Sequence, residues 1–190
     1  MRTIILPVTE VSNLNEAAID LSANFRHPNN DDITSDFPGS LEMLRKDPSE
    51  LGQILQERAD SQVAGERERF IAFTDAESEK EGGRLQAVGI GFLTLSQGES
   101  VPPAIRDLGE PHGPNLSLMI SYPFRRQGLG RLIMQRQLES VEAHCNGNAW
   151  TSVRKANIAS QRLVTAVGFV VIGSGVLREA PAFHYRYNSH

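Results

Sequence analysis

Ile120-Ser-Tyr-Pro-Phe-Arg125-Arg126-Gln127-Gly128-Leu129-Gly130-Arg131-Leu132-Ile133 is the stretch on which the reading of this chain turns. Leu116-Ser-Leu-Met-Ile120 ahead of it has the look of a strand. Met134, Leu138, Val141 and Cys145 behind it fall on one helical stripe, which predicts a helix from Leu129 to Cys145. The segment is therefore strand, turn, helix. Gly128 and Gly130 remove side chains where backbone must face a ligand closely. The first turn of a helix leaves N–H groups unpaired and carries partial positive charge. Arg125, Arg126 and Arg131 add formal charge at the same mouth. Together these suit a pyrophosphate. No Gly-Lys-Ser/Thr follows, so the turn is not a P-loop, and a third glycine of the dinucleotide fingerprint is missing. The plainer alternative is a tight turn with solvated arginines.

Outward from this segment the pattern stays that of one mixed α/β unit. Ile4, Ile5, Leu6 and Val8 read as a short apolar strand ending near Pro7, and Leu14, Ala18, Leu21 and Phe25 as the stripe of a helix opened by the Asn13/Glu16 capping box. Residues 28–39 read as a polar loop. Asp47-Pro48-Ser49-Glu50 starts a second helix. Phe70–Phe73 and Leu85–Leu95 read as strands joined by a charged hairpin turn over 75–83. In the second of them Gly89 and Gly91 share a face, either for a close-lying ligand or for a crowding helix. A Gly/Pro-rich connection spans 96–114. Trp150–Val153 is a strand, Ile158–Val167 a helix ended by Gly168, and Phe169–Ile172 a strand. Phe183, Tyr185 and Tyr187 alternate on a last strand. The order β-α-α-β-β-β-α-β-α-β-β implies one layered α/β structure.

Composition narrows the class. The chain has 190 residues, 39% hydrophobic and 22% charged, which is ordinary for a folded globular protein and argues against wholesale disorder. Its single cysteine, Cys145, allows no internal disulfide and no thiolate-clustered zinc site. No metal is expected. No apolar run approaches the roughly 18 residues of a membrane helix. The apolar start at Ile4–Val8 is shorter than a signal-peptide core, so a cytoplasmic location is expected. The net charge of −4 hides a split. Residues 1–110 carry 20 acidic and 10 basic side chains, whereas residues 111–190 carry 3 acidic and 9 basic ones. The basic half is a prior for an anionic ligand. Nucleic acid fits poorly, because the arginines gather on one turn, aromatics are few and the whole chain is acidic.

Arg125-x-x-Gly128-x-Gly130 resembles the Q/R-x-x-G-x-G/A motif of the GCN5-related N-acetyltransferase (GNAT) family. Downstream, Asn157-Ile-Ala-Ser160-Gln-Arg162-Leu163 through Gly168-Phe169 resembles that family's second motif helix and the strand after it. One helix and one strand separate the two motifs, as the family requires, and the strand order fits over essentially the whole chain. The resemblance implies a single domain over 1–190. Its fold would be a twisted mixed sheet of about seven strands with splayed strands four and five, flanked by helices. It implies transfer of an acetyl group from acetyl-CoA, as cosubstrate, to an amine. By the same resemblance Leu118, Met119 and Ile120 offer strand-four backbone to the pantetheine amides and the thioester carbonyl. Arg126, Gln127, Gly128, Leu129, Gly130 and Arg131 wrap the pyrophosphate, with Arg125 beside them. Asn157 hydrogen-bonds the pantetheine arm, and Ser160 and Arg162 lie on or near that side.

The acid and base are where this chain departs from the resemblance. Val164 stands where many relatives have a tyrosine acid. Ser152 stands where some have glutamate, and Pro114-Asn115-Leu116 where others place glutamate or histidine. His112, Tyr122 and Tyr185 are the remaining candidates. Each has a plainer reading, as a loop histidine, a surface aromatic and a core aromatic; Tyr187 shares the last. Two functions of different class stay open: an N-acetyltransferase for a small or peptide amine, and a non-catalytic acyl-CoA-binding domain that senses or scaffolds. Asp31, Asp32, Asp36 and Glu42 in the acidic half raise the expectation of a cationic acceptor, against a plain solvated surface. The oligomeric state, including a homodimer, stays open.

Overall fold

Local chemistry starts most of the helices where the sequence says they start. In the computed structural model, which describes residues 2–33, 38–64, 66–75, 84–95, 101–108 and 112–189, Asn13 caps α1 (Leu14–Phe25). Its Oδ1 accepts from the Glu16 N–H at 3.1 Å. Asp47 caps α3 (Pro48–Asp60), its carboxylate accepting from the Ser49 N–H at 2.9 Å. Each cap satisfies one of the donors a helix start leaves orphaned. Two short helices were not anticipated: α2 (Pro38–Leu44) and α4 (Pro103–Arg106). α2 begins inside the stretch read as a loop, and α4 lies inside the long connection. Neither has enough turns to show an apolar period. The hairpin turn expected over 75–83 lies outside the described residues beyond Asp75.

The strands are β1 (Thr3–Pro7), β2 (Arg67–Asp75), β3 (Leu85–Leu95), β4 (Pro114–Ile120), β5 (Asn148–Arg154), β6 (Val170–Leu177) and β7 (Ala180–Asn188). With α5 (Leu129–His144) and α6 (Ile158–Ala166) they complete a mixed α/β fold. The seven strands form one sheet in the order β1-β2-β3-β4-β5-β7-β6. β1 pairs antiparallel with β2, and β7 pairs antiparallel with both β5 and β6. β4 runs parallel to β5, with one register pair, Asn115↔Trp150. The mixed seven-stranded sheet is the expected architecture. Among the described residues no helix is long and apolar enough to cross a membrane.

By internal contacts the chain divides into two units. The first comprises Met1–Gln62, Arg69–Gly91 and Leu118–Ile133. Its helical core is Leu21, Phe25, Leu41, Leu44, Leu51 and Leu55, all buried. A second cluster joins Ala72, Val88, Ile120, Phe124, Leu129 and Ile133, so the turn after β4 is anchored by apolar side chains on both flanks. Gly89 is crowded chiefly by the strand β4 and not by the expected helix, whose Ile133 Cδ1 would lie 3.5 Å from a β-carbon there. A β-carbon there would lie 2.7 Å from Ile120 Cδ1 and 2.9 Å from the Met119 carbonyl oxygen.

The second unit comprises Val63–Glu68, Phe92–Ser117 and Met134–His190. Its centre is the β5–β7–β6 ladder. Val101, Ile105 and Trp150 cluster there, with Ile172 packed against them. The buried Gln137 side chain of α5 donates to the carbonyls of Phe92 at 2.9 Å and Ser117 at 3.1 Å, tying α5 to β3 and β4. Between Val171 and Gly173 the β6–β7 register slips by a bulge.

Candidate functional site

In the first unit β4 delivers Leu118, Met119 and Ile120 to a 3-10 turn, Tyr122–Phe124, and Leu129 then opens α5. Between them the chain makes two left-handed steps, Arg126 at φ 62° and Gly128 at φ 83°. Successive turns of this kind leave backbone N–H groups facing outward, a concavity that suits anions. The Gly128 carbonyl accepts from the N–H groups of Arg131 at 3.0 Å and Leu132 at 3.2 Å. The N–H groups of Leu129 and Gly130 come before that first bond and have no helical partner. A β-carbon on Gly128 would meet nothing within 4 Å, so the backbone here stands bare. Arg126, Gln127, Gly128 and Arg131 are exposed, Gly130 is half-buried, and Leu129 is buried in the core. Cationic side chains and open backbone thus share one turn.

Arg125 behaves differently from its neighbours. Its Nε donates to the Ile120 carbonyl at 3.0 Å, and its Nη2 donates to Asn30 Oδ1 at 3.1 Å. Asn30, 0% exposed, also accepts from the Tyr122 N–H at 2.7 Å and donates to the Asn24 carbonyl at 2.9 Å. Ser121 donates to the same carbonyl at 2.8 Å. The Arg125 guanidinium lies 5.6 Å over the Tyr122 ring, which stacks on His27 at 5.3 Å. Arg125 therefore straps the end of β4 to Asn30, in the 3-10 segment that follows α1, and its charge serves the turn's shape. Asn30 was missed in the sequence, where it sits in a polar run with nothing to set it apart.

In the second unit Asn157 caps α6, its Oδ1 accepting from the Ser160 N–H at 3.0 Å. Gln161 of α6 donates to the carbonyls of Arg154 at 3.2 Å and Lys155 at 2.7 Å, fixing the loop that enters the helix. Ser160 is half-buried and Arg162 exposed. Val164 is 2% exposed and belongs to the core, so this position supplies no acid.

The acid and base candidates are scattered. Tyr122 is exposed and committed to stacking on His27. Tyr185 is buried against Phe183, edge to face, and burial pushes its hydroxyl pKa up. Tyr187 donates to Glu142 at 2.7 Å. His112 is half-buried, just ahead of β4. His184, absent from the sequence candidates, is buried at 3% exposure with its Nδ1 2.8 Å from Ser152 Oγ. Strand alternation was the signal that could have found it. It faces away from Phe183 and Tyr185, on the side of the ladder that carries Ser152. Of the acidic residues, Glu42 is exposed on α2, Asp36 lies outside the described residues, and so do the side chains of Asp31 and Asp32.

The family model for the acetyltransferase (GNAT) family matches residues 37–169. No curated protein matches the chain in sequence. Solved structures match over nearly its full length. A GNAT-family acetyltransferase from Streptococcus pneumoniae is 18% identical with a TM-score of 0.58, covering 99% of this chain and 100% of that one. Ribosomal-protein-S5-alanine acetyltransferase from Vibrio fischeri is 12% identical with a TM-score of 0.60, covering 97% and 90%. AAC(6')-Ib, in complex with paromomycin and acetyl-CoA, is 13% identical with a TM-score of 0.61, covering 99% and 94%. At these identities the likeness is one of fold.

Proposed function

Because this chain belongs to the GNAT acetyltransferase family, we propose that it is an N-acetyltransferase that moves an acetyl group from acetyl-CoA to an amine by direct attack. The observation that carries this reading is the turn after β4. It combines left-handed steps at Arg126 and Gly128, bare backbone at Gly128, and a helix start at Leu129. These features fit a pyrophosphate, an anionic part of the cosubstrate. In this proposal the backbone N–H groups from Gly128 to Gly130 bind the phosphates, and Arg126 and Arg131 supply charge from the rim. Leu118, Met119 and Ile120 offer the backbone of β4 to the pantetheine amides and the thioester, where an N–H donor stabilises the developing oxyanion. Arg125 holds the shape of the turn. Asn157, Ser160 and Arg162 line the pantetheine arm from α6. The chain then works as one domain over residues 1–190, in the cytoplasm and without nucleic acid.

The proposed acceptor is a small or peptide amine, with a cationic one favoured by the acidic half. Two of the structural relatives differ widely in this respect: one is an acetyltransferase of a ribosomal-protein alanine, and the other binds paromomycin beside acetyl-CoA. An amine panel with detection of free CoA thiol tests the proposal. Acetyl-CoA-dependent thiol release with at least one amine is the expected result. Binding of acetyl-CoA with no turnover on a broad panel overturns it and leaves a non-catalytic acyl-CoA-binding domain. Equal turnover of neutral and cationic amines at low salt removes the cationic preference alone.

A further inference from the structure

Ser152 on β5 and His184 on β7 are directly opposed in the antiparallel ladder. Ser152 Oγ lies 2.8 Å from His184 Nδ1. The histidine is 3% exposed while the serine is half-buried, so the serine is the less covered member of the pair. Two features of the second unit hold it, and a third lies on the same face. The register slip between Val171 and Gly173 sits beside His184 and sets Gly173 opposite it. Such bulges re-aim side chains. Gly175 leaves room for the ring: a β-carbon there would come within 2.7 Å of His184 Nε2. Two residues back along the same face, Trp150 is 5% exposed and its indole N–H has no hydrogen-bond partner among the described residues. A buried donor without a partner is costly unless a ligand meets it.

We propose that Ser152 and His184 accept the proton of the attacking amine, Ser152 by contact and His184 through Ser152; this rests on the acetyltransferase reading above. The amine nitrogen bonds to the thioester carbon, and the C–S bond breaks to release the CoA thiolate. The amine's proton passes to Ser152 Oγ while the hydroxyl's own proton passes to His184 Nδ1. The imidazolium returns that proton through Ser152 to the thiolate or to water, which resets the pair. Burial pulls the imidazole pKa below its usual 6.5, so the ring is neutral and able to accept at neutral pH. The ionisable groups on the elements packed against His184 are Arg154 on β5 and Arg106 on α4, with Tyr185, Arg186 and Tyr187 on its own strand and none on β6.

The test uses the full chain with the best amine from the panel. Ser152→Ala and His184→Gln are each expected to lower kcat by about 10²-fold or more while leaving acetyl-CoA affinity unchanged. The wild-type pH profile should fall on an acid limb below pH 6.5, and both variants should lose that limb. Ser152→Thr keeps the hydroxyl and should recover most of the rate, a rescue that a packing role for the pair does not predict. Should His184→Gln melt early, Ser152→Ala and Ser152→Thr carry the comparison alone. Wild-type kcat in Ser152→Ala, or an unchanged acid limb, overturns the pair and spares the acetyltransferase reading. A wild-type chain that binds acetyl-CoA and acetylates nothing overturns both.

Discussion

Arg125 and Gly128 stand three residues apart in one motif and do opposite work. Arg125 spends its guanidinium on the Ile120 carbonyl and on Asn30, so it buttresses the turn from within. Gly128 gives the turn its opening. Its φ of 83° lies in the left-handed region, which costs a residue with a β-carbon about 1–2 kcal/mol, and yet a β-carbon would touch nothing there. Strain and steric blocking therefore separate at this position. Gly128→Ala is expected to cost about 1 kcal/mol, a fall of roughly 2–4 °C in melting temperature for a chain of this size. It should also weaken acetyl-CoA binding several-fold, because relief of the strain turns the N–H groups away. Thermal melts with and without acetyl-CoA check both halves. An unchanged melt with unchanged affinity would mean that the turn neither needs the left-handed step nor presents backbone to phosphate.

Elements that announce themselves by local chemistry were legible in the sequence, and those that depend on a neighbour were not. α1 and α3 carry capping residues and an apolar stripe, and α6 begins at Asn157 and ends before Gly168 at φ 99°. α2 and α4, with 7 and 4 residues, have too few turns for a stripe. The same divide runs through the candidate site. The glycines of the turn can be read because their spacing is local. The partners Asn30 to Arg125 and His184 to Ser152 cannot, because only the folded chain brings residues 95 and 32 positions apart together. Asn157 combines both kinds of information. It caps α6, and in the proposed function it also serves the cosubstrate, which would place two roles on one side chain. Asn157→Ala should cost about 1 kcal/mol through the lost cap. Asn157→Asp keeps an acceptor for the Ser160 N–H and should restore the stability. If it restores acetyl-CoA affinity as well, the capping role accounts for everything and the proposed contact to the arm fails. Melting curves and calorimetric titration of the three proteins decide between these outcomes.

At the scale of the whole molecule the charge is divided along the chain, and the division is matched to the proposed ligands. Residues 111–190 hold 9 basic and 3 acidic side chains, and within them Arg126 and Arg131 are exposed on the turn after β4. Exposed cations attract an anion through water, so salt screens them over a Debye length of about 10 Å at 0.1 M and about 3 Å at 1 M. Backbone N–H groups in contact with a phosphate are screened far less. Acetyl-CoA affinity should therefore fall severalfold between low and high salt and then level off at a floor set by the backbone. Arg126→Gln with Arg131→Gln should lower affinity at low salt towards that floor and flatten the salt dependence. Both residues are exposed, so the melting temperature should hardly move. Titration of wild type and double variant over the salt range reads both slopes. Equal slopes would place the salt-sensitive charge elsewhere in the basic half, with Arg154, Lys155 and Arg162 around Asn157 the next cations to replace.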